Sequence, residues 1–173
     1  MAINPYKRLR ELTLTSQKDF AAKYEMSKTA MTYIESGQLY SLSDHMIVSL
    51  GQECAERHVN AKVTLMDEYG VATLQEAYQN WKSTERMQNA HLFQHPVSWT
   101  PGTVRSPFDV YVEDSAGTRQ KFCKLLKVPA SAVQLYAQGK ILTMPKAIEE
   151  ALIQVRFPYL QELKDLQTQW LGR

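Results

Sequence analysis

The stretch TSQKDFAAKYEMSKTAMTYIESG, Thr15–Gly37, carries two helix-start signals and a helix-stop signal in close succession. Ser16 can accept hydrogen bonds from the first amides of a helix, and Asp19, three residues on, suits the positive end of that helix's dipole. Phe20, Ala21 and Tyr24 then recur at helical spacing until Glu25 and Met26 interrupt the pattern. Ser27 caps a second helix whose Ala30, Met31 and Ile34 face inward and which Gly37 ends. Helices joined by so tight a turn cross steeply, which leaves the second with an open face. That face carries Lys28, Thr29, Thr32 and Tyr33, a row of hydrogen-bonding groups at the amino end of a helix. Such a row suits base edges in a DNA major groove, about 12 Å wide, which admits one helix.

With LREL (Leu9–Leu12) before it and SLSDHMIVSLGQ (Ser41–Gln52) after it, this stretch resembles the lambda-repressor/Cro type of helix-turn-helix domain, also called XRE-like, over residues 6–52. The resemblance implies that Gln17, opening the second helix, touches DNA phosphate, and that Lys28, Thr29 and Thr32, with Tyr33, read bases. Ser27 and Gln38 are expected on the DNA backbone as well; Gln38 departs from the basic residue common at that place, which weakens one contact. Arg10 and Glu35 resemble a structural salt bridge of the family, joining the first helix to the end of the third.

A shift of 102 residues lays NPYKRL (Asn4–Leu9) over SPFDVY (Ser106–Tyr111) without a gap. Ser16 then meets Thr118, Phe20 meets Phe122, Ala21 meets Cys123, Met31 meets Val133, Gly37 meets Gly139 and Leu50 meets Leu152. Arg10 and Glu35 fall on Val112 and Ala137, so both charges vanish together, as partners in a partly buried place must. This second copy is expected to present Ala130, Ser131 and Gln134 to bases, and Arg119, Gln138 and Lys140 to the backbone. Pro129 suits the start of its third helix, where a missing N–H goes unused. Arg105 to Lys146 holds seven basic residues against three acids, and Met1 to Tyr40 holds six against four; both lean towards a polyanion.

Between the copies, Thr73 to Glu76 reads as a capping box, and Ala77, Tyr78, Trp81 and Met87 continue at helical spacing. A helix from about Leu74 to Leu92 would run about 28 Å, against about 34–36 Å between successive major-groove faces. HPVSWTPGTVRSP (His95–Pro107) cannot continue that helix and reads as a hinge. In the last segment Leu160, Leu163, Leu166 or Gln167, and Trp170 share a face, as in a helix docked on the second copy. The expected fold is all-α: a helix-turn-helix domain over 1–60, a helical linker and hinge over 61–104, and a diverged second domain with a C-terminal helix over 105–173.

The 173-residue chain is 44% hydrophobic with a net charge of +2, enough apolar material for packed cores and no bulk charge to name a partner. No apolar run approaches 18 residues and the amino end lacks a signal-peptide core, so no membrane is expected, and Cys54 and Cys123 read as reduced thiols of a cytoplasmic protein. Cys54 with His58 and His91 with His95 have helical spacing for a zinc site, but the pattern is unlike the common fingers. Ala116-Gly117 matches the bond at which some phage repressors cut themselves, yet no strand-rich segment is there to supply a serine–lysine dyad. No enzyme activity, metal or cofactor is expected. Length and two-copy layout resemble the immunity repressors of temperate actinobacterial phages, which implies a monomer on an asymmetric double-stranded operator in a bacterial cytoplasm, with an RNA polymerase or antirepressor contact. The rival expectation is an antitoxin- or antirepressor-like regulator in which only the first copy binds DNA, and Tyr111, Tyr136 and Trp170 form an exposed patch for a protein.

Overall fold

The computed structural model describes residues 3–172, and every regular element among them is helical. No helix among them is long and apolar enough to cross a membrane. The chain divides into two compact units, Met1–Lys82 and Ser83–Arg173. The first contains α1 (Pro5–Leu12), α2 (Gln17–Lys23), α3 (Lys28–Ser36), α4 (Asp44–Glu56), α5 (Ala61–Tyr69) and the opening turns of α6 (Leu74–Gln88). The second contains the last turns of α6, a 3₁₀ turn (Ala90–Phe93), α7 (Pro107–Ala116), α8 (Arg119–Leu126), α9 (Ala130–Ala137), α10 (Lys146–Gln154) and α11 (Leu160–Leu171).

Local chemistry sets the ends of these helices. Asn4, Ser16, Ser27, Ser43 and Asn60 each stand before a helix of the first unit and accept from one of its first amides. Gly37 closes α3 in the left-handed conformation, at φ 80°. Behind the caps, Tyr6, Phe20, Met31, Ile34, Leu50, Leu65, Ala77 and Tyr78 form one apolar core. The hydroxyls of Tyr6 and Tyr78 donate to the Met46 and Ile34 carbonyls at 2.8 and 3.0 Å, so neither ring carries an unsatisfied polar tip.

The two units share a register. Helices α1 to α4 begin at Pro5, Gln17, Lys28 and Asp44, and α7 to α10 begin at Pro107, Arg119, Ala130 and Lys146, each 102 residues later. The turn between second and third helices repeats bond for bond: Met26 N–H donates to the Ala21 carbonyl, and Val128 N–H to that of Cys123. Glu25 and Lys127, both left-handed at φ 56° and 59°, occupy the same place in it. Asn4 donates to the Glu35 carbonyl at 3.0 Å; its counterpart Ser106 donates to the counterpart carbonyl, Ala137, at 2.7 Å. From the end of the fourth helix the offset falls to 98, pairing Val59 N–H to Cys54 O with Phe157 N–H to Leu152 O, so that Leu152 there stands against Cys54 rather than Leu50, and the core residue Leu65 against Leu163. α4 has 13 residues and α10 has 9, so the two differ by four residues there without disturbing the third helix.

Residues 61–104 are not a linker. α5 and the first part of α6 belong to the first unit, where Leu65, Leu74, Ala77, Tyr78 and Trp81 fill its core. Phe93 and the later turns of α6 belong to the second. The boundary lies at Lys82/Ser83 rather than near 60 and 104, because the apolar face of α6 is needed to complete the first core. α6 also stops at Gln88 instead of Leu92: the Asn89 amide bonds the Glu85 carbonyl, and the chain tightens into the 3₁₀ turn that buries Phe93. In α11, Leu163 and Gln167 are the buried residues; Gln167 is polar but satisfied, accepting from Phe108 N–H and donating to the Tyr136 carbonyl.

Candidate nucleic-acid interface

α2 and α3 meet at a four-residue turn, with Met31 and Ile34 of α3 wholly buried. Burial of that face fixes the opposite one. Lys28, Thr29 and Thr32 stand exposed and Tyr33 is half-buried. Ser27 Oγ accepts from Ala30 N–H at 3.0 Å and so serves the helix first. Thr32 Oγ1 donates to the Lys28 carbonyl at 3.0 Å. The side chains of Gln17, Lys28 and Thr29 make no hydrogen bond or ion pair among the described residues. Gln17, Lys18, Ala22 and Lys28 line a groove of about 580 Å³ in the crook of the two helices, floored by Ala21, Met26 and Met31.

Several ties hold this pair in place. Arg10 and Glu35 form a bidentate ion pair at 2.8 and 3.0 Å, nine-tenths buried, and Arg10 Nη1 also donates to the Thr15 carbonyl at 2.8 Å. Glu53, with no exposed surface, accepts from Lys23 and from the Tyr24 hydroxyl of the turn, joining α2 to α4. Burial pushes the Glu53 carboxyl up, but the bonds from Lys23 and Tyr24 outweigh it and hold the group below the usual carboxylate range. The loop after α3 is braced from α6: Lys82 Nζ donates to the Leu39 and Tyr40 carbonyls at 2.6 and 3.1 Å, and Gln75 bonds both backbone groups of Leu42.

Gln38, expected on the DNA backbone, is not available for it. Only 3% of it is exposed, and its Oε1 accepts from Ser36 at 2.6 Å, because the turn out of α3 folds this side chain under the helix end.

In the second unit Ser131, Gln134, Gln138 and Lys140 are exposed and Ala130 is half-buried. The side chains of Ser131, Gln134, Gln138 and Lys140 have no partner among the described residues. Val133, Tyr136 and Ala137 hold α9 to the core. Arg119, expected to be free for phosphate, is partly committed: its Nε donates to Asp109 Oδ1 at 3.0 Å, while Arg105 Nε takes Oδ2 at 3.1 Å. Burial raises the Asp109 carboxyl, and Arg119 and Arg105 more than reverse this, so it titrates below its ordinary value. Lys127 is half-buried at the turn, where burial lowers its ammonium below the usual lysine range. The basic lean therefore rests on Lys121, Lys124 and Lys140 here, and on Lys18 and Lys28 in the first unit; Lys7, Arg8, Lys23 and Lys146 pair with acids.

The exposed aromatic patch expected for a protein partner does not exist. Tyr111 and Tyr136 are 0% and 2% exposed and belong to the second core, and Trp170 is half-buried. Arg86 was not singled out in the sequence either. It is buried and donates to the Leu126 and Lys127 carbonyls at 2.7 and 2.6 Å, ending α8 where the turn begins.

Among the described residues no group of three or more His, Cys, Asp or Glu is placed to hold a metal ion. Cys54 and Cys123 are buried, and burial pushes their thiols up to about 11 and about 12. His95 Nε2 lies 3.1 Å from Ser115 Oγ, next to Ala116-Gly117, but that hydroxyl donates to the Tyr111 carbonyl at 2.7 Å. The imidazole is then the donor, which is the wrong polarity for activating a nucleophile. Comparison with protein-family models, with curated proteins and with solved structures finds no match.

Proposed function

We propose that the chain is a sequence-specific double-stranded DNA-binding transcriptional repressor with two helix-turn-helix modules of the lambda-repressor/Cro kind, acting in a bacterial cytoplasm as phage immunity repressors do. One observation carries the reading. In both units the third helix turns side chains without intramolecular partners outwards: Lys28 and Thr29 in one, Ser131 and Gln134 in the other, with Thr29 and Ser131 at the same register. Neighbouring polar groups such as Gln38, Glu35 and Arg10 are tied down instead. A free row at a helix start is what base edges in a major groove require, and Gln17 beside it suits a phosphate oxygen.

Because the two rows differ, one chain would read an asymmetric site, whereas two identical readers favour a palindrome. Selection of bound sequences from random duplexes tests this, followed by the mass of the complex on one enriched site. One chain per duplex and a non-palindromic sequence are expected. Lys28→Ala and Thr29→Ala should each flatten the preference at particular positions by about 1–3 kcal/mol, while Gln17→Ala should weaken all sequences alike. A preference unchanged by Lys28→Ala and Thr29→Ala would overturn the assignment.

A further inference from the structure

The outward stripes of α3 and α9 differ in the chemistry they offer. Lys28 brings three donors and no acceptor. Guanine answers with two adjacent acceptors, O6 and N7, whereas adenine sets an amino donor beside its N7. Thr32, one turn further on, has its hydroxyl hydrogen on the Lys28 carbonyl, so its oxygen is left as an acceptor, the complement of the cytosine N4 amino group.

On α9, residues Ser131, Gln134 and Leu135 form the exposed stripe, with Gln138 at the helix end, and none of them is a cation. The Gln134 amide offers donor and acceptor side by side and has no partner within the unit. That is the pattern for adenine N6 and N7. Beside it Leu135 is 36% exposed in a polar row, at the place Tyr33 holds in the first unit. A leucine can complement only one feature of a base edge in the major groove, the C5-methyl group of thymine.

We infer that the two modules read opposite base pairs, the first G·C through Lys28 and Thr32 and the second A·T through Gln134 and Leu135. This assignment rests on the DNA-binding reading above and deepens it. It makes the two ends of the site chemically unlike, which sets one polarity for the chain on the duplex.

The test uses the full chain. Sequences selected from random duplexes should contain one G·C-specified and one A·T-specified block, and Lys28→Ala should relax only the first. In the second block, 7-deazaadenine removes N7 and uracil removes the methyl group. The unaltered protein should lose about 5- to 150-fold on the adenine analogue and about fourfold on uracil. Gln134→Ala should be indifferent to the first analogue and Leu135→Ala to the second, with thermal midpoints near that of the unaltered protein since both side chains are exposed. An enriched site whose binding ignores both analogues, or whose A·T block responds to Lys28→Ala, overturns the assignment and leaves the DNA-binding reading standing. Selection that enriches nothing overturns both.

Discussion

The ion pair between Arg10 and Glu35 can be removed one side chain at a time or as a couple, and the two routes should differ sharply. The side chains are 9% and 10% exposed, and Arg10 makes three charge-assisted bonds, two to Glu35 and one to the Thr15 carbonyl. Glu35→Ala strands a guanidinium in that place, and Arg10→Val strands a carboxylate; each should cost about 3–5 kcal/mol. For a unit of this size that is a fall of about 12 °C or more in its midpoint. The double substitution Arg10→Val/Glu35→Ala installs the pair the second unit already has, Val112 and Ala137, both buried. It should cost only about 1–3 kcal/mol, for the Thr15 carbonyl left without its donor. In the second unit Gly117, in the place of buried Thr15, is exposed. Calorimetry of the full chain gives the midpoints, and hydrogen exchange in Pro5–Leu12 and Lys28–Ser36 assigns the loss to the first unit. Additive single losses, with the double variant the least stable of the three, would refute the reasoning.

Gly139 sits at φ 74°, and a Cβ there would lie 2.8 Å from Trp170 Cζ3 and 3.0 Å from Leu171 Cδ2, whereas Gly70, at φ 69°, opens on free space. Denaturant titration should therefore rank Gly139→Ala (about 2–4 kcal/mol) as costlier than Gly70→Ala (about 1–2 kcal/mol); equal costs would refute the crowding. Glu53 and Asp109 both titrate low in the folded chain, so their stabilisation is full above the unfolded carboxylate values, about 4, and is lost as pH falls through the lowered folded values. Stability should drop as pH falls below about 4, and the drop should shrink in Glu53→Gln and Asp109→Asn; an unchanged pH profile in both would exclude them as its source. Gln38→Ala should destabilise the first unit by about 1 kcal/mol and leave DNA affinity, measured well below the thermal midpoint, as it was. A loss of affinity shared equally by all sequences would restore the phosphate contact that burial argues against.

Features encoded within a few residues were readable in advance. Ser16 and Ser27 cap the helices they precede, Gly37 ends α3, and Met31 and Ile34 lie inward. What could not be read depends on residues far apart in the chain. Nothing local to Lys82 or Arg86 announces that each caps carbonyls some forty positions away. Gln38 looked like a surface amide because its cover comes from the fold of the loop. Tyr111 and Tyr136 are different, since the means to place them was at hand. The 102-residue shift lays them over Leu9 and Ile34, both core residues, and following it would have moved the tyrosines inside. The unequal length of the fourth helices is not legible from the shift, because a difference one helix beyond Gly139 leaves the correspondences of the first three helices intact.

The division of α6 between the two cores constrains how such a chain can be cut or recombined. A fragment ending at residue 60 would forfeit Leu65, Leu74, Ala77, Tyr78 and Trp81, along with the ammonium that holds the Leu39 and Tyr40 carbonyls. One starting at 100 would forfeit Arg86 and Phe93. Heredity meets the same obstacle: a crossover that trades one half for a relative's must fall inside a helix, between Lys82 and Ser83, and transplant matching turns on either side. Viable hybrids would then come from parents whose α6 sequences agree, however far their outward stripes have drifted.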